Sequence, residues 1–303
     1  PKHKPQRKVM ILLSFDIEEF DMPFEYGKSI SFDDQMAISV AGTHRILTLL
    51  RKHQVKATFF STAQFANHAV ELIQQIIHEG HEIASHGYYH SNFKVEHLLQ
   101  SRKALEDITK QPVVGFRMAR MMPVDELEIA KAGYTYNTSI NPTYLPGRYN
   151  NFSRPRTFFT EKGVLQIPAS VSPYIRIPLF WLAFHNMPLW LYQSLCKWTY
   201  QTDNYLNLYF HPWEFTDLND VGRFGFPTYV SRNSGDAMVK RLDNLISWML
   251  KQGYPFGTFK DFIASISSSS FFGSYFHPGC QLQGFISIHY SARNTNITQQ
   301  YFA

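Results

Sequence analysis

Residues 9–20 read VMILLSFDIEEF. Seven of them, 9–15, are apolar except for Ser14, and the run ends abruptly at Asp16. A run that short and apolar, bounded by charge, is a buried strand. Asp16, Glu18 and Glu19 follow at once, so the strand delivers carboxylates to its own C-terminal end. Positions two apart on an extended exit turn toward the same side, which lets Asp16 and Glu18 share one cavity. Standing alone, the same residues read more readily as a solvated acidic turn.

Working outward from this strand, short β-rich runs alternate with helical stretches. A helical stretch over 35–53 precedes a strand at 57–61. Asn67 then looks like the N-cap of a helix carrying Val70, Ile73, Ile76 and Ile77 and closed by Gly80. The scheme repeats as strand 82–84, helix 95–109, strand 113–116, helix 124–131 ended by Gly133, and strand 134–137. Residues 141–156 are rich in Pro, Asn, Gly and Arg and form a long loop. Strand 205–210, helix 236–251 and a short strand near 256–259 complete the pattern. Repeated βα units predict an α/β fold with a parallel sheet and outer helices, either barrel or doubly wound. One domain is expected over residues 1–266. The Ser-rich stretch from 265 opens into a poorly ordered extension, 267–303, with no function assigned.

The bulk properties narrow the function classes. The 303 residues are 44% hydrophobic and 17% charged, so one substantial core is expected and wholesale disorder is not. Aromatic residues reach 16%, a surplus that suits either core packing or a groove for sugar rings. Net charge is +5, with a short basic start at Lys2, Lys4, Arg7 and Lys8 but no nucleic-acid-binding pattern. Cys196 and Cys280 form neither a disulfide framework nor a CxxC metal knuckle. The apolar run 9–15 is too short for a signal peptide, and nothing reaches membrane-spanning length. A cytoplasmic protein is the default expectation, with peripheral contact to the inner membrane as its extension.

Two further clusters follow strands. His86 and His90 lie four apart in HGYYH, a spacing that on a helix face binds one metal through two imidazoles. Two histidines and a carboxylate leave coordination positions open for water and substrate. His81 and His97 fit the spacing less well and read as surface histidines. His211, directly after strand 205–210, is placed as a general acid or base, or as a histidine in a packed turn.

In order, SFDIEEF, SHGYYH, GFRMARMMP, YNTSINP, YFHPWEF and GTFKDF resemble the polysaccharide deacetylases, the NodB-homology or carbohydrate esterase family 4 group, over about residues 9–262. The resemblance implies a distorted (β/α)7 barrel with its active site at the strand C-termini. It further implies a catalytic set of Asp16 as base, His211 as acid and Arg117 to orient the base. Glu18, His86 and His90 become the metal ligands, in a branch with D-x-E spacing; Glu19 and Asp21 are possible substitutes for Glu18. The cofactor is then a divalent metal, Zn²⁺ first and Co²⁺ second. Arg120, through its backbone N–H near the oxyanion, and Trp213 join the substrate-binding set.

Two positions depart from the family pattern. Asn137 stands where relatives carry the aspartate that partners the acid histidine, which predicts a less basic His211. Arg117-Met118-Ala119-Arg120 replaces a segment commonly holding prolines and an aromatic residue. The substrate side is read from two stretches. Tyr144, Arg148, Arg154 and Arg156 in the long loop suit a sugar bearing phosphate or carboxylate, although a solvated loop fits as well. Residues 178–198, with Phe180, Trp181, Phe184, Trp190, Tyr192 and Trp198, form a core helix pair broken at Pro188. The alternative is an apolar platform for a membrane surface and a lipid-linked sugar. The expected activity is removal of N-acetyl groups from an amino sugar of a cell-envelope polysaccharide or its lipid-linked precursor. The alternatives are a hydrolase of other amides, such as a sugar deformylase, and a non-catalytic carbohydrate- or lipid-binding relative.

Overall fold

A computed structural model describes residues 10–271. Its first strand, β1 (Met10–Ile17), is buried at all eight positions. It runs two residues past the expected end, because Asp16 and Ile17 still pair with Phe60 and Ser61. The charge that marks a strand end in sequence is here neutralised inside the sheet. Helix α1 (Phe32–His53) starts a turn earlier than its apolar spacing suggests, where the Ser31 side chain accepts the Asp34 N–H. β2 (Thr58–Ser61) leads into α2 (Ala63–His68) and α3 (Val70–His78). Asn67 is therefore inside α2 rather than an N-cap; Thr62 caps that helix by accepting the Phe65 N–H.

The chain continues through β3 (Glu82–Ser85), α4 (Glu96–Thr109), β4 (Gly115–Phe116), α5 (Glu126–Lys131) and β5 (Tyr136–Asn137). The long loop holds a two-residue hairpin, β6 (Tyr144–Leu145) with β7 (Tyr149–Asn150). β8 (Phe159–Glu161) and β9 (Val164–Gln166) form a second hairpin. After it come α6 (Trp181–Asn186) and α7 (Leu189–Asp203), the expected helix pair parted at Pro188. The remaining elements are β10 (Tyr205–Phe210), α8 (Val221–Phe224), α9 (Thr228–Ser231), α10 (Asp236–Lys251), β11 (Phe256–Gly257) and α11 (Phe259–Phe271).

The sheet order is β10-β1-β2-β3-β4-β5-β9-β8, with β11 also paired to β1. Seven consecutive neighbours, β10 through β9, run parallel, and β8 is an antiparallel edge. The sheet curls until its ends nearly meet. Ser170, just past β9, donates its N–H to Asn207 O of β10 at 3.0 Å, and its Oγ accepts the Asn207 N–H at 2.9 Å. This is the distorted (β/α)7 barrel of the sequence reading, short of closure by one pair of strands.

Alternation along β1 sorts its side chains between two compartments. Ile11, Leu13, Phe15 and Ile17 join the large core between sheet and helices, while Met10 and Leu12 fill the barrel's lower interior. Ser14 and Asp16 continue that inward row toward the mouth. The bottom is closed by α11, whose Phe259 stacks on Tyr136 at 5.3 Å and meets Phe60 at 5.5 Å. Burying such a side chain contributes about 1.5–3 kcal/mol. The helix carries through residue 266 to Phe271; the extension from 272 onward, the basic start and Cys280 lie outside the described residues.

Candidate active site

Asp16 sits at the mouth end of the inward row and accepts a hydrogen bond from Arg117 Nη1 at 2.6 Å. Arg117 is fully buried. Its Nη2 donates to Ser14 Oγ at 2.9 Å, and its guanidinium lies 4.0 Å over the Phe60 ring. A buried cation held by a carboxylate, a hydroxyl and an aromatic face cannot swing, so Asp16 is fixed in direction.

Glu18 leaves the strand on the same side. Its Oε2 is buried and accepts no hydrogen bond, yet it lies 3.0 Å from His86 Nε2 and 3.1 Å from His90 Nε2. The three donor atoms are all within 4.8 Å of one another. Burial alone would raise the Glu18 pKa, but the two facing imidazoles outweigh it and hold the carboxyl well below the usual range. An orphaned buried carboxylate oxygen between two imidazole nitrogens fits a divalent ion, and the O,N,N donor set is one that zinc accepts.

The histidines do not share a helix, contrary to the sequence reading. Gly87 at φ +90° breaks the turn. The segment is pinned instead by α2, whose Ala63 and Gln64 N–H groups donate to Gly87 O and Tyr88 O, both at 3.0 Å. The two rings still lie nearly parallel, 18° apart with centroids at 6.0 Å. His90 is oriented from behind by Asp21, whose Oδ1 meets His90 Nδ1 at 2.6 Å. Asp21 also accepts from Ser91 Oγ and, at 3.3 Å, from Arg120 Nη2. Glu19 turns away and accepts from Thr62 Oγ1 at 2.6 Å.

His211 faces the cluster from β10, its Nε2 3.9 Å from Asp16 Oδ2. Pro212 opens a tight turn that returns Glu214 onto it. Glu214 Oε1 accepts the His211 N–H at 2.6 Å and meets Nδ1 at 2.9 Å. Glu214 Oε2 meets His185 Nε2 at 2.8 Å, and both residues are buried. Burial would lower the His211 pKa, but the bond to Glu214 and the nearby charges of Glu18, Glu214 and Asp16 together outweigh it, and the imidazole is held above its ordinary value. The carboxylate behind His211 is thus Glu214, not a residue at position 137. Asn137 is elsewhere, donating to Gln166 Oε1 at 2.9 Å and accepting from Ser139, which braces the Met118 N–H. The turn needs room: a Cβ on Gly42 of α1 would lie 1.9 Å from Pro212 O.

These groups open into one cavity of about 280 Å³. Asp16, Glu18, His86, His90, His211, Arg120, Arg148 and Trp213 line it. Arg120 turns its guanidinium to Asp21, to Glu25 Oε1 at 2.7 Å and to His90 O at 3.1 Å. Trp213 stacks on His211 at 4.7 Å, and its Nε1 donates toward Glu18 Oε1 at 3.4 Å. Tyr144 is outside the lining and exposed, because alternation in its short strand sends Leu145 inward instead; Tyr149 of the same loop lines the wall, with Tyr26, Tyr209 and Tyr229. His81 and His97, read as surface histidines, are buried away from the site. His81 accepts the Ala57 N–H at 3.2 Å, and burial lowers its pKa to about 4. Asp21 stood only as a substitute ligand in the sequence reading. Glu214 and His185 carried no role there, although the His-x-x-Glu spacing of a turn was a usable signal for Glu214.

The family profile described as polysaccharide deacetylase matches residues 28–136. Over that span the chain is similar to polysaccharide deacetylases. It is 27% identical over 222 residues to an uncharacterised 30.6 kDa protein of Geobacillus stearothermophilus, covering 73% of this chain and 65% of that one. It is 38% identical over 74 residues to a peptidoglycan-N-acetylglucosamine deacetylase of Bacillus cereus, covering 24% and 26%. The deacetylase fold is shared with a Mycobacterium smegmatis structure assigned to the family, at TM-score 0.60 and 16% identity over 94% of this chain and 98% of that one. The matches therefore span less than two thirds of these curated relatives' length. No helix among the described residues is long and apolar enough to cross a membrane.

Proposed function

We propose that this chain belongs to the polysaccharide deacetylase family and is a metal-dependent N-deacetylase acting on an amino sugar of a cell-envelope glycan or its lipid-linked precursor. One observation carries the reading: Glu18 Oε2 meets both imidazole Nε2 atoms in the cavity that also receives Asp16 and His211. Glu18, His86 and His90 would hold the ion, with zinc first and cobalt second. When bound, a divalent cation supplies Lewis-acid polarisation of an acyl oxygen and of water.

Asp16, aimed by Arg117, takes a proton from water as its oxygen attacks the acyl carbon. His211, kept protonated by Glu214, gives its Nε2 proton to the departing nitrogen as the C–N bond breaks. The products are the carboxylic acid and the free amine. Acid–base assistance of this kind contributes about 10²–10⁴ in rate. Half-exposed Arg148 and the aromatic wall of Tyr149, Trp181 and Trp213 suit a sugar ring carrying an anionic group. A panel of N-acetylated and N-formylated amino sugars, free and as oligomers, tests this by release of acetate or formate. Acetate release that disappears in Asp16→Asn supports the reading; release unchanged by that substitution rejects it.

A further inference from the structure

Helix α7 buries Tyr192, Leu195, Cys196 and Tyr200, but Trp190 is 67% exposed and Trp198 37%. At roughly 100° per residue, Trp190, Ser194, Lys197 and Trp198 fall within an arc of about 100°, one outward stripe. The Tyr174 ring meets that stripe, 6.2 Å from Trp198, and is 84% exposed, with Ile175 beside it at 61%. Tyr174 and Arg176 flank Ile175 at φ 60° and 56°. That left-handed conformation is unfavourable for non-glycine residues. The strained turn thus presents a tyrosine and an isoleucine to solvent.

Arg176 pins it. Its Nη1 donates to Pro142 O at 2.9 Å and Arg154 O at 2.8 Å, and its guanidinium lies 4.9 Å over the half-exposed Phe152 ring. The apolar face is therefore tied to the 141–156 loop, whose Arg148 and Tyr149 line the cavity mouth. The two segments that form it carry basic charge only. Segments 141–156 and 172–202 hold Arg148, Arg154, Arg156, Arg176 and Lys197 and no Asp or Glu. Arg154 and Arg156 are paired with Glu161 and Asp203, and Arg148 lies 3.9 Å from Glu25 Oε2, whereas Lys197 is exposed on the helix stripe.

We infer that this face docks on an anionic lipid bilayer. Trp190, Trp198, Tyr174 and Ile175 sit at headgroup depth, with Lys197 toward the phosphates. Amphipathic rings favour that depth, and each nearby basic residue adds attraction to anionic lipid. A sugar-stacking platform fits less well, because the two contacting rings are tilted 35° apart and Ile175, with no flat face, projects beside them.

The surface goes beyond the hydrolytic reading, and none of the four apolar residues or Lys197 lines the cavity. The test mixes the full chain with phosphatidylcholine vesicles, with and without phosphatidylglycerol, and follows sedimentation and tryptophan fluorescence. Wild type is expected to sediment with the anionic vesicles, with a blue shift, and to be released by salt. Ile175→Ser combined with Trp190→Ser lowers the partition by at least about tenfold, and Lys197→Glu lowers it by roughly tenfold. Hydrolysis of a water-soluble substrate stays unchanged in each variant. Wild type left in the supernatant with both vesicles, variants that sediment as wild type does, or fluorescence that responds to soluble glycan oligomers but not to vesicles would each overturn the inference. Vesicle binding without any hydrolysis would instead strike the proposed activity alone.

Discussion

Two imidazole–carboxylate pairs face each other across the cavity, and they are built differently. His90 takes its carboxylate from Asp21, 69 residues away, at a partly exposed rim shared with Arg120. His211 takes its own from Glu214, three residues on, in a buried turn where His185 holds the other oxygen. The first pair stands behind an atom that faces Glu18; the second stands behind an atom free to face a leaving group. On the proposed reading, one orients a ligand and the other tunes an acid. A carboxylate behind a ligating imidazole fixes its ring and raises its basicity. A buried carboxylate behind an acid stabilises the charged form and so sets the pH range over which it can donate.

The largest effect is expected at Asp16, which serves both sides. Asp16→Asn keeps a hydrogen-bond acceptor for Arg117, whereas removing the side chain would strand a buried cation at about 3–5 kcal/mol. Activity should fall by about 10²–10⁴ with metal content retained, read by acetate release beside metal analysis. Loss of metal together with activity would mean that Asp16 is a ligand rather than a base.

Next come the two carboxylates that separate the pairs. Glu214→Gln is expected to move the alkaline limb of the kcat/KM profile to lower pH. The sign follows from His211 acting in its protonated form: activity is present below its pKa and is lost as pH rises through it. Glu214 holds that pKa above the ordinary value, so removing the charge brings the loss to lower pH. Asp21→Asn should leave that limb in place and weaken metal affinity by about 10–100-fold, measured by competition with a chelator. A limb that shifts in Asp21→Asn and stays fixed in Glu214→Gln would reverse the assignment.

The smallest effect is steric. Gly42→Ala pushes a Cβ against Pro212 O and must displace the turn carrying His211. A loss of about 1–3 kcal/mol in unfolding free energy is expected, with reduced kcat and unchanged metal affinity. Wild-type stability and rate in this variant would show that the turn has slack.

The same contrast explains what was legible in the sequence. Glu214 is recoverable from its spacing to His211, since Pro212 forces a turn that brings the third residue back. Asp21 and Arg120 are not, because their partners arrive only when β1, β3 and β4 are neighbours. Asp16 and Glu18 were legible as alternate residues of one strand exit. His86 and His90 were legible as a pair, but their helix was an error of period, which Gly87 contradicts. The βα alternation survived because each strand is short and apolar. The final helix did not, because Ser265 to Ser270 masks the spacing of Phe259, Phe262, Ile263 and Ile266 that fills the barrel's lower end. Thr62 is hard to read as a cap in the sequence because it directly follows the strand residues Thr58–Ser61.

The most direct measurement is metal content of the purified protein beside a His86→Ala, His90→Ala double variant and a Glu18→Gln variant, each shown to be folded. One divalent ion per wild-type chain, lost from the double variant and weakened in Glu18→Gln, is the predicted result. Equal metal in all three proteins would contradict the site and the hydrolysis argued from it.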